Sequence, residues 1–246
     1  MVELTKDDGL IVVAHRGASG YMPENTFASF DRAVELGADM MELDVHPSKD
    51  GHLVVIHDDT VDRTTDGHGS VSSLTLDEIR ALNAAAKFPG NMQQRVPTLA
   101  EVLDRYAARI PIAVEVKHGS SVYPGIERKV VDELERQSAT DRVELISFDL
   151  DCLRKLRTES KRVKTGFIFV GNMASSAELV RGDVDALHGR WDFLAPSQIE
   201  RARGLGFPTY AWTVNTVEEI RNAMRLGPDG IVSNFPDRAL EAAKEG

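Results

Sequence analysis

At 246 residues the chain suits one α/β barrel or two smaller domains, and 42% apolar with 28% charged residues is a globular composition able to bury a sizeable core. With 39 acidic and 29 basic side chains the formal charge is −10, a sign that repels phosphate backbones and anionic lipid and argues against nucleic acid as a partner. Cys152 is the only cysteine, which rules out an intrachain disulfide framework, no apolar run reaches the roughly 18 residues of a membrane span, and the opening MVELTKDDGL lacks the segments of a secretory signal. A soluble, cytoplasmic protein is expected.

The first β-branched run, residues 10–14, ends at His15. Asn25 then reads as the cap of a helix over 26–37, with Phe27, Phe30, Ala33 and Val34 on one face. A strand over 40–45 follows, and another over 53–56 that ends at His57. Asp50-Gly51 between them suits a two-residue hairpin turn, so paired positions should sum to 101 and His57 should face Asp44. The stretch 46–109 contains no clean βα unit and reads as an inserted subdomain. Helical periodicity recurs at 98–106, 125–137, 150–159, 198–205 and 217–226. Strand-like runs lie at 112–116, 143–146, 165–170, 185–187, 209–214 and 230–232. With the hairpin strand set aside, eight strands alternate with helices, which predicts a TIM (β/α)8 barrel built from 1–45 and 110–246, with 46–109 as a small insertion after the second strand.

Glu42 and Asp44 are two apart in a strand, so both point to one side, about 6.6 Å apart at roughly 3.3 Å per residue. Glu115 and Lys117 repeat that spacing on the next stave, again at the C-terminal end where barrels carry their active sites. Each pair alone has an ordinary explanation as a solvated face or an ion pair. Together, three carboxylates on neighbouring staves make an oxygen-rich site for a hard divalent ion, Mg²⁺ or Ca²⁺. His15 is followed by Arg16, whose planar fork suits phosphate, and by Gly17, which permits close backbone approach. His57-Asp58 adds a second imidazole. This constellation suits phosphoryl chemistry, with cations for the charge and two histidines as general acid and base. His46, His52, His68 and His118 fall in turn flanks and are expected to be exposed, and His188 is a candidate for site lining. Trp212 is either core or a flat wall for substrate, while Asn25 and Asn215 read as turn or cap residues.

On these residues the chain resembles the glycerophosphodiester phosphodiesterases, within the phosphatidylinositol-phospholipase-C-like barrel group. The resemblance runs from His15-Arg16-Gly17 and Pro23-Glu24-Asn25-Thr26 through Glu42-Leu43-Asp44-Val45, His57-Asp58, Arg63-Thr64-Thr65 and Gly67-His68-Gly69. It continues with Pro97-Thr98-Leu99, Glu115-Val116-Lys117, Ser147-Phe148 and Trp212-Thr213-Val214-Asn215. It implies hydrolysis of glycerophosphodiesters, such as glycerophosphocholine or glycerophosphoethanolamine, to an alcohol and glycerol 3-phosphate. By motif position it implies His15 and His57 as the acid/base pair, Glu42, Asp44 and Glu115 as metal ligands, Arg16 and Lys117 as phosphate contacts, and Trp212 as a substrate-side wall. Two departures stand out. Ser48 replaces a usual Thr before the Asp-Gly turn, and Ser233-Asn234-Phe235-Pro236 replaces a usual Thr-Asp, a change expected to touch the last loop and no catalytic residue. Two other readings compete: a lysophospholipase-D-like enzyme on a lipid substrate, which needs an apolar rim that the polar insertion does not supply, and a catalytically silent barrel that binds phosphate esters.

Overall fold

A computed structural model describes residues 9–245, so the N-terminal residues read above for a signal lie largely outside it. Eight parallel strands close on themselves: β1 (Ile11–Ala14), β2 (Met40–Pro47), β4 (Ile112–Val116), β5 (Val143–Ser147), β6 (Lys164–Phe169), β7 (Ala186–Arg190), β8 (Thr209–Trp212) and β9 (Gly230–Ser233). β1 hydrogen-bonds to both β2 and β9, which completes the barrel. β3 (Leu53–Val55) lies outside the ring, antiparallel to β2. The expected TIM barrel is therefore the observed fold.

Strand alternation decides which side chains reach the interior. Along β2, Met41, Leu43 and Val45 pack outward into the core shared with the helices, while Met40 joins an inner cluster with Val13, Ala113, Ile146, Ile168, Tyr210 and Val232. Glu42, Asp44 and His46 share the inward parity of Met40 and lie nearer the C-terminal end. The apolar inner cluster thus plugs the barrel beneath a polar rim.

Helices α1 (Phe27–Leu36), α3 (Leu99–Tyr106), α4 (Ile126–Arg136), α5 (Leu150–Glu159), α7 (Pro196–Gly204) and α8 (Val217–Leu226) occupy the stretches where periodicity placed them. The cap of α1 is Thr26, whose hydroxyl accepts from the Ser29 N–H in a capping box, so Asn25 is not a cap. Three further helices lie outside those stretches: α2 (Leu76–Arg80), α6 (Met173–Leu179) and α9 (Pro236–Glu245). In α6, Ser175 and Ser176 are weak helix formers, and Asn172 starts the helix by accepting from the Ser175 N–H.

The hairpin register differs from the expectation. Val45 faces Val55 and Pro47 faces Leu53, so paired positions sum to 100 and the connection is three residues, Lys49-Asp50-Gly51, between Ser48 and His52. Gly51 closes it at φ 87, the left-handed position that such loops require. Ile56, not His57, therefore sits level with Asp44, and its N–H donates to the Asp44 carbonyl at 3.1 Å.

The insertion has its own small core of Val54, Ile56, Val61, Val71, Leu76, Ile79, Ala84 and Val96. Helix α3, which a division at 46–109 assigns to the insertion, packs Leu99, Val102, Leu103 and Tyr106 into the barrel's outer core instead. No helix among the described residues is long and apolar enough to cross a membrane.

Arg63 ties the insertion to the loop after β1. Its guanidinium donates to both Glu24 oxygens at 2.7 and 2.8 Å, and its Nε to Asp58 Oδ2 at 2.6 Å. That bond, with a smaller contribution from His57, holds the Asp58 carboxyl down at about 2. A depressed acid stabilises the fold above its unfolded pKa near 3.8 and loses that contribution as pH falls through 2. Because Arg63 is half exposed, the pair should be worth about 1 kcal/mol. Urea denaturation of Arg63→Ala should show that deficit at pH 6 and a much smaller one at pH 2; an undiminished deficit at pH 2 would mean that Arg63 acts through packing alone.

Candidate active site

Parallel register between β2 and β4 sets Asp44 directly beside Glu115, with Glu42 two residues below on the same face. One oxygen from each of the three carboxylates lies within 4.8 Å of the others, and all three residues are buried. Such crowding in a dry site disfavours full ionisation. Burial, reinforced by the Asp44 charge, raises Glu42 well above the carboxylate range and lifts Glu115 to about 7. Asp44 goes the other way: burial opposes its charge, but Lys117 and Arg16 outweigh it and keep it ionised.

The local cations are close. Lys117 Nζ lies 2.8 Å from Asp44 Oδ1 and 2.6 Å from Glu115 Oε1, and Arg16 Nε lies 3.4 Å from Asp44 Oδ2. The Arg16 guanidinium also donates to Glu24 at 2.9 Å, and its backbone N–H donates to Glu42 Oε2 at 2.9 Å. Asn25, at φ 56, donates its amide to Asp44 Oδ2 at 2.9 Å. One buried oxygen, Asn25 Oδ1, accepts no hydrogen bond from protein. Three clustered carboxylates against two cations, with the Asn25 oxygen left unsatisfied beside them, is a donor set that fits a hard divalent ion.

The two imidazoles flank this trio with different partners on Nδ1. His15, at the end of β1, faces Asn234 Oδ1 at 2.6 Å. Burial, with Arg16 adding to it, pushes His15 down to about 4. His57 faces a carboxylate, Asp58 Oδ1, at 2.6 Å, and burial lowers it despite the nearby Asp44 charge. His46, expected to be exposed, is fully buried beneath it: Nε2 sits 3.0 Å from the His57 carbonyl and Nδ1 3.0 Å from the Tyr123 hydroxyl. This bond fixes the segment after β3 and brings His57 to the site although the hairpin register is shifted by one. His118 is half exposed and paired with Asp59 at 2.7 Å. His52 and His68 are exposed.

A compact cavity of about 150 Å³ opens among these groups, walled on one side by His15, Arg16, Glu42, His57 and Glu115, and on the other by Phe148, His188 and Trp212. Trp212 is thus a wall, held by its indole N–H donating to the His188 carbonyl at 2.8 Å and by Phe148 edge-on at 5.7 Å. A wider cavity of about 610 Å³ shares His57, Glu115 and Phe148 and adds Lys117 and Val122. Asn234 corrects the expectation that the last loop leaves the candidate residues untouched, since it contacts His15 directly. Its own N–H donates to Asn215 Oδ1 at 2.9 Å, so Asn215 holds the residue that holds His15.

Comparison with known proteins agrees with this geometry. The sequence profile of the Glycerophosphoryl diester phosphodiesterase family matches residues 15–238. A glycerophosphodiester phosphodiesterase of Caldanaerobacter subterraneus is 37% identical over 239 residues, covering 96% of this chain and 98% of that one. A glycerophosphodiester phosphodiesterase of Bacillus subtilis is 33% identical, with coverages of 95% and 86%. Among solved structures, an Oleispira antarctica phosphodiesterase in complex with the product sn-glycerol-3-phosphate superimposes with a TM-score of 0.86 at 28% identity, covering 96% of this chain and 97% of that one. Barrel, site and relatives agree, and the chain belongs to the glycerophosphoryl diester phosphodiesterase family.

Proposed function

We propose that this phosphoric diester hydrolase is a metal-dependent glycerophosphodiester phosphodiesterase, releasing an alcohol and glycerol 3-phosphate with His15 and His57 as its acid/base pair. The observation that carries the reading is the convergence of two imidazoles and a carboxylate trio on one compact cavity. Glu42, Asp44 and Glu115 would hold Mg²⁺ or Ca²⁺, which when bound supplies positive charge for phosphate oxygens and eases deprotonation of a hydroxyl. Arg16 and Lys117 would contact the phosphate, and Trp212 would support the substrate laterally.

The Nδ1 partners support a division of labour. Asp58 is anionic and favours an imidazolium at His57, whereas at His15 burial and the Arg16 charge outweigh the neutral Asn234 amide and keep the ring neutral. His15 then takes the proton of the glycerol 2-hydroxyl as it attacks phosphorus, and His57 gives one to the departing alcohol. The roles reverse as water opens the resulting cyclic phosphate. Intramolecular attack benefits from high effective molarity.

A second reading, lysophospholipase-D-like action on a lipid, has one observation in its favour. The insertion is polar, but the segments after β4 to β7 expose Val122, Phe148, Val170 and Phe193, and the start of α8 exposes Val217, so apolar surface follows the C-terminal ends of the strands.

Glycerophosphocholine and lysophosphatidylcholine should be assayed in parallel, with glycerol 3-phosphate measured for the first and choline for both. Turnover of glycerophosphocholine that EDTA abolishes and Mg²⁺ or Ca²⁺ restores is expected; preference for the lipid would favour the second reading, and EDTA-resistant turnover would remove the metal. Calorimetric titration of Glu115→Gln with the same ions should show weakened binding. His15→Ala and His57→Ala should each lower kcat by roughly 10²–10⁴-fold with folding retained, and near-parental kcat would make that histidine structural. A substrate lacking the glycerol 2-hydroxyl should bind as a competitive inhibitor and turn over negligibly; substantial hydrolysis would mean that water attacks phosphorus directly.

A further inference from the structure

The proposed chemistry leaves one buried polar pair inside the barrel without a task. Glu144 on β5 and His188 on β7 lie below the rim, 1% and 4% exposed, with Glu144 Oε1 3.2 Å from His188 Nε2. The His188 ring stacks on Tyr210 with centroids 4.6 Å apart and planes 9° from parallel. Gly166 on the intervening strand β6 makes the room, because a Cβ there would lie 2.6 Å from Glu144 Oε1 and 2.7 Å from His188 Nε2. Glu144 Oε2 is buried and accepts no hydrogen bond. A carboxylate and an imidazole among Ile146, Ile168 and Val232 cost stability that an apolar pair would not. This cost points to a use.

His188 also lines the compact cavity that holds His15, His57 and the carboxylates, on the wall opposite the trio. Its Nε2 is taken by Glu144, which as a carboxylate can only accept, so the hydrogen resides on Nε2 and Nδ1 carries a lone pair. Val13, Ala113, Ile146, Ile168 and Val232, which also line the cavity, offer no polar atom from a side chain. A hydroxyl is the ligand group that fits, since it can donate to neutral Nδ1 or accept from it if the ring is protonated.

We propose that His188, held by Glu144, binds the terminal hydroxyl of the substrate's glycerol arm, which enters the compact cavity, while the departing alcohol lies in the wider cavity bordered by Lys117 and Val122. The inference rests on the phosphodiesterase reading and adds to it the direction in which the substrate lies. The constant part of the substrate meets the smaller cavity, and the variable alcohol meets the larger one. Glu144 is a positioning residue here, acting through the ring it orients.

The test compares sn-glycero-3-phosphocholine with its 1-deoxy analogue, which keeps the 2-hydroxyl. The parental enzyme should lose about 5- to 50-fold in kcat/KM on the analogue, the cost of leaving a buried polar partner unpaired. In His188→Asn the ratio between the two substrates should collapse to within about twofold of unity, whereas a purely structural histidine would depress both substrates alike and leave the ratio intact. Glu144→Gln, which keeps an acceptor for Nε2, should retain most of the discrimination, and Glu144→Leu should lose it. If His188→Asn does not fold, the parental enzyme decides: equal kcat/KM on the two substrates overturns the proposal, and discrimination upholds it. Absence of any turnover of sn-glycero-3-phosphocholine by the parent would instead overturn the phosphodiesterase reading itself.

Discussion

The burial of three carboxylates at adjacent strand ends is the constraint around which the polar half of this barrel is arranged. Strand parity leaves no choice about their direction: Glu42 and Asp44 must face one way, and the β2–β4 register sets Glu115 next to them. In a medium of low dielectric the mutual repulsion is large, and every nearby polar group responds to it. Lys117 bridges two of the three, Asn25 gives up its amide hydrogens to Asp44, and Arg16 adopts φ 54. That backbone conformation is uncommon away from glycine, yet in it one residue offers its N–H to Glu42 and its guanidinium to Asp44 and Glu24. The strain is local to the site, where a metal ion or a phosphate would repay it.

The barrel was legible in the sequence because each stave carries its signal within five or six residues, and the carboxylate trio was legible because period-two spacing is a property of single strands. Residues that meet only through closure of the ring were not. His15 and Asn234 touch across 219 positions, and nothing around Asn234 announces a partner beyond the loop it sits in. His46 looked exposed because it borders a turn, although its parity with Glu42 and Asp44 already aimed it inward. The hairpin register was misjudged by one because Asp-Gly serves both two- and three-residue loops, and only the Ser48–His52 backbone bond distinguishes them. Helix α6 escaped for another reason: tertiary burial of Met173 and Ala177 supports it rather than intrinsic propensity.

The two imidazoles illustrate how environment separates chemically identical groups. Both donate from Nδ1 over 2.6 Å, one to an amide and one to a carboxylate. Both acceptors favour a proton on the ring, but burial outweighs them, and at His15 the Arg16 charge adds to it. The difference between the two rings follows mainly from depth, His15 lying more deeply buried than His57 and next to a guanidinium.

The insertion's independent core has an evolutionary consequence. Val61, Val71, Leu76, Ile79, Ala84 and Val96 pack with Val54 and Ile56, so these can drift together, whereas Leu53 and Val55 on β3 pack into the barrel core. One continuous run of alternating charge, from Arg16 through Glu24, Arg63 and Asp58 to His57, crosses from the barrel loop into the insertion. The insertion's own core can therefore change by compensating substitutions, whereas the run of charge, Leu53, Val55 and the His57 carbonyl held by His46 must keep their match to the barrel.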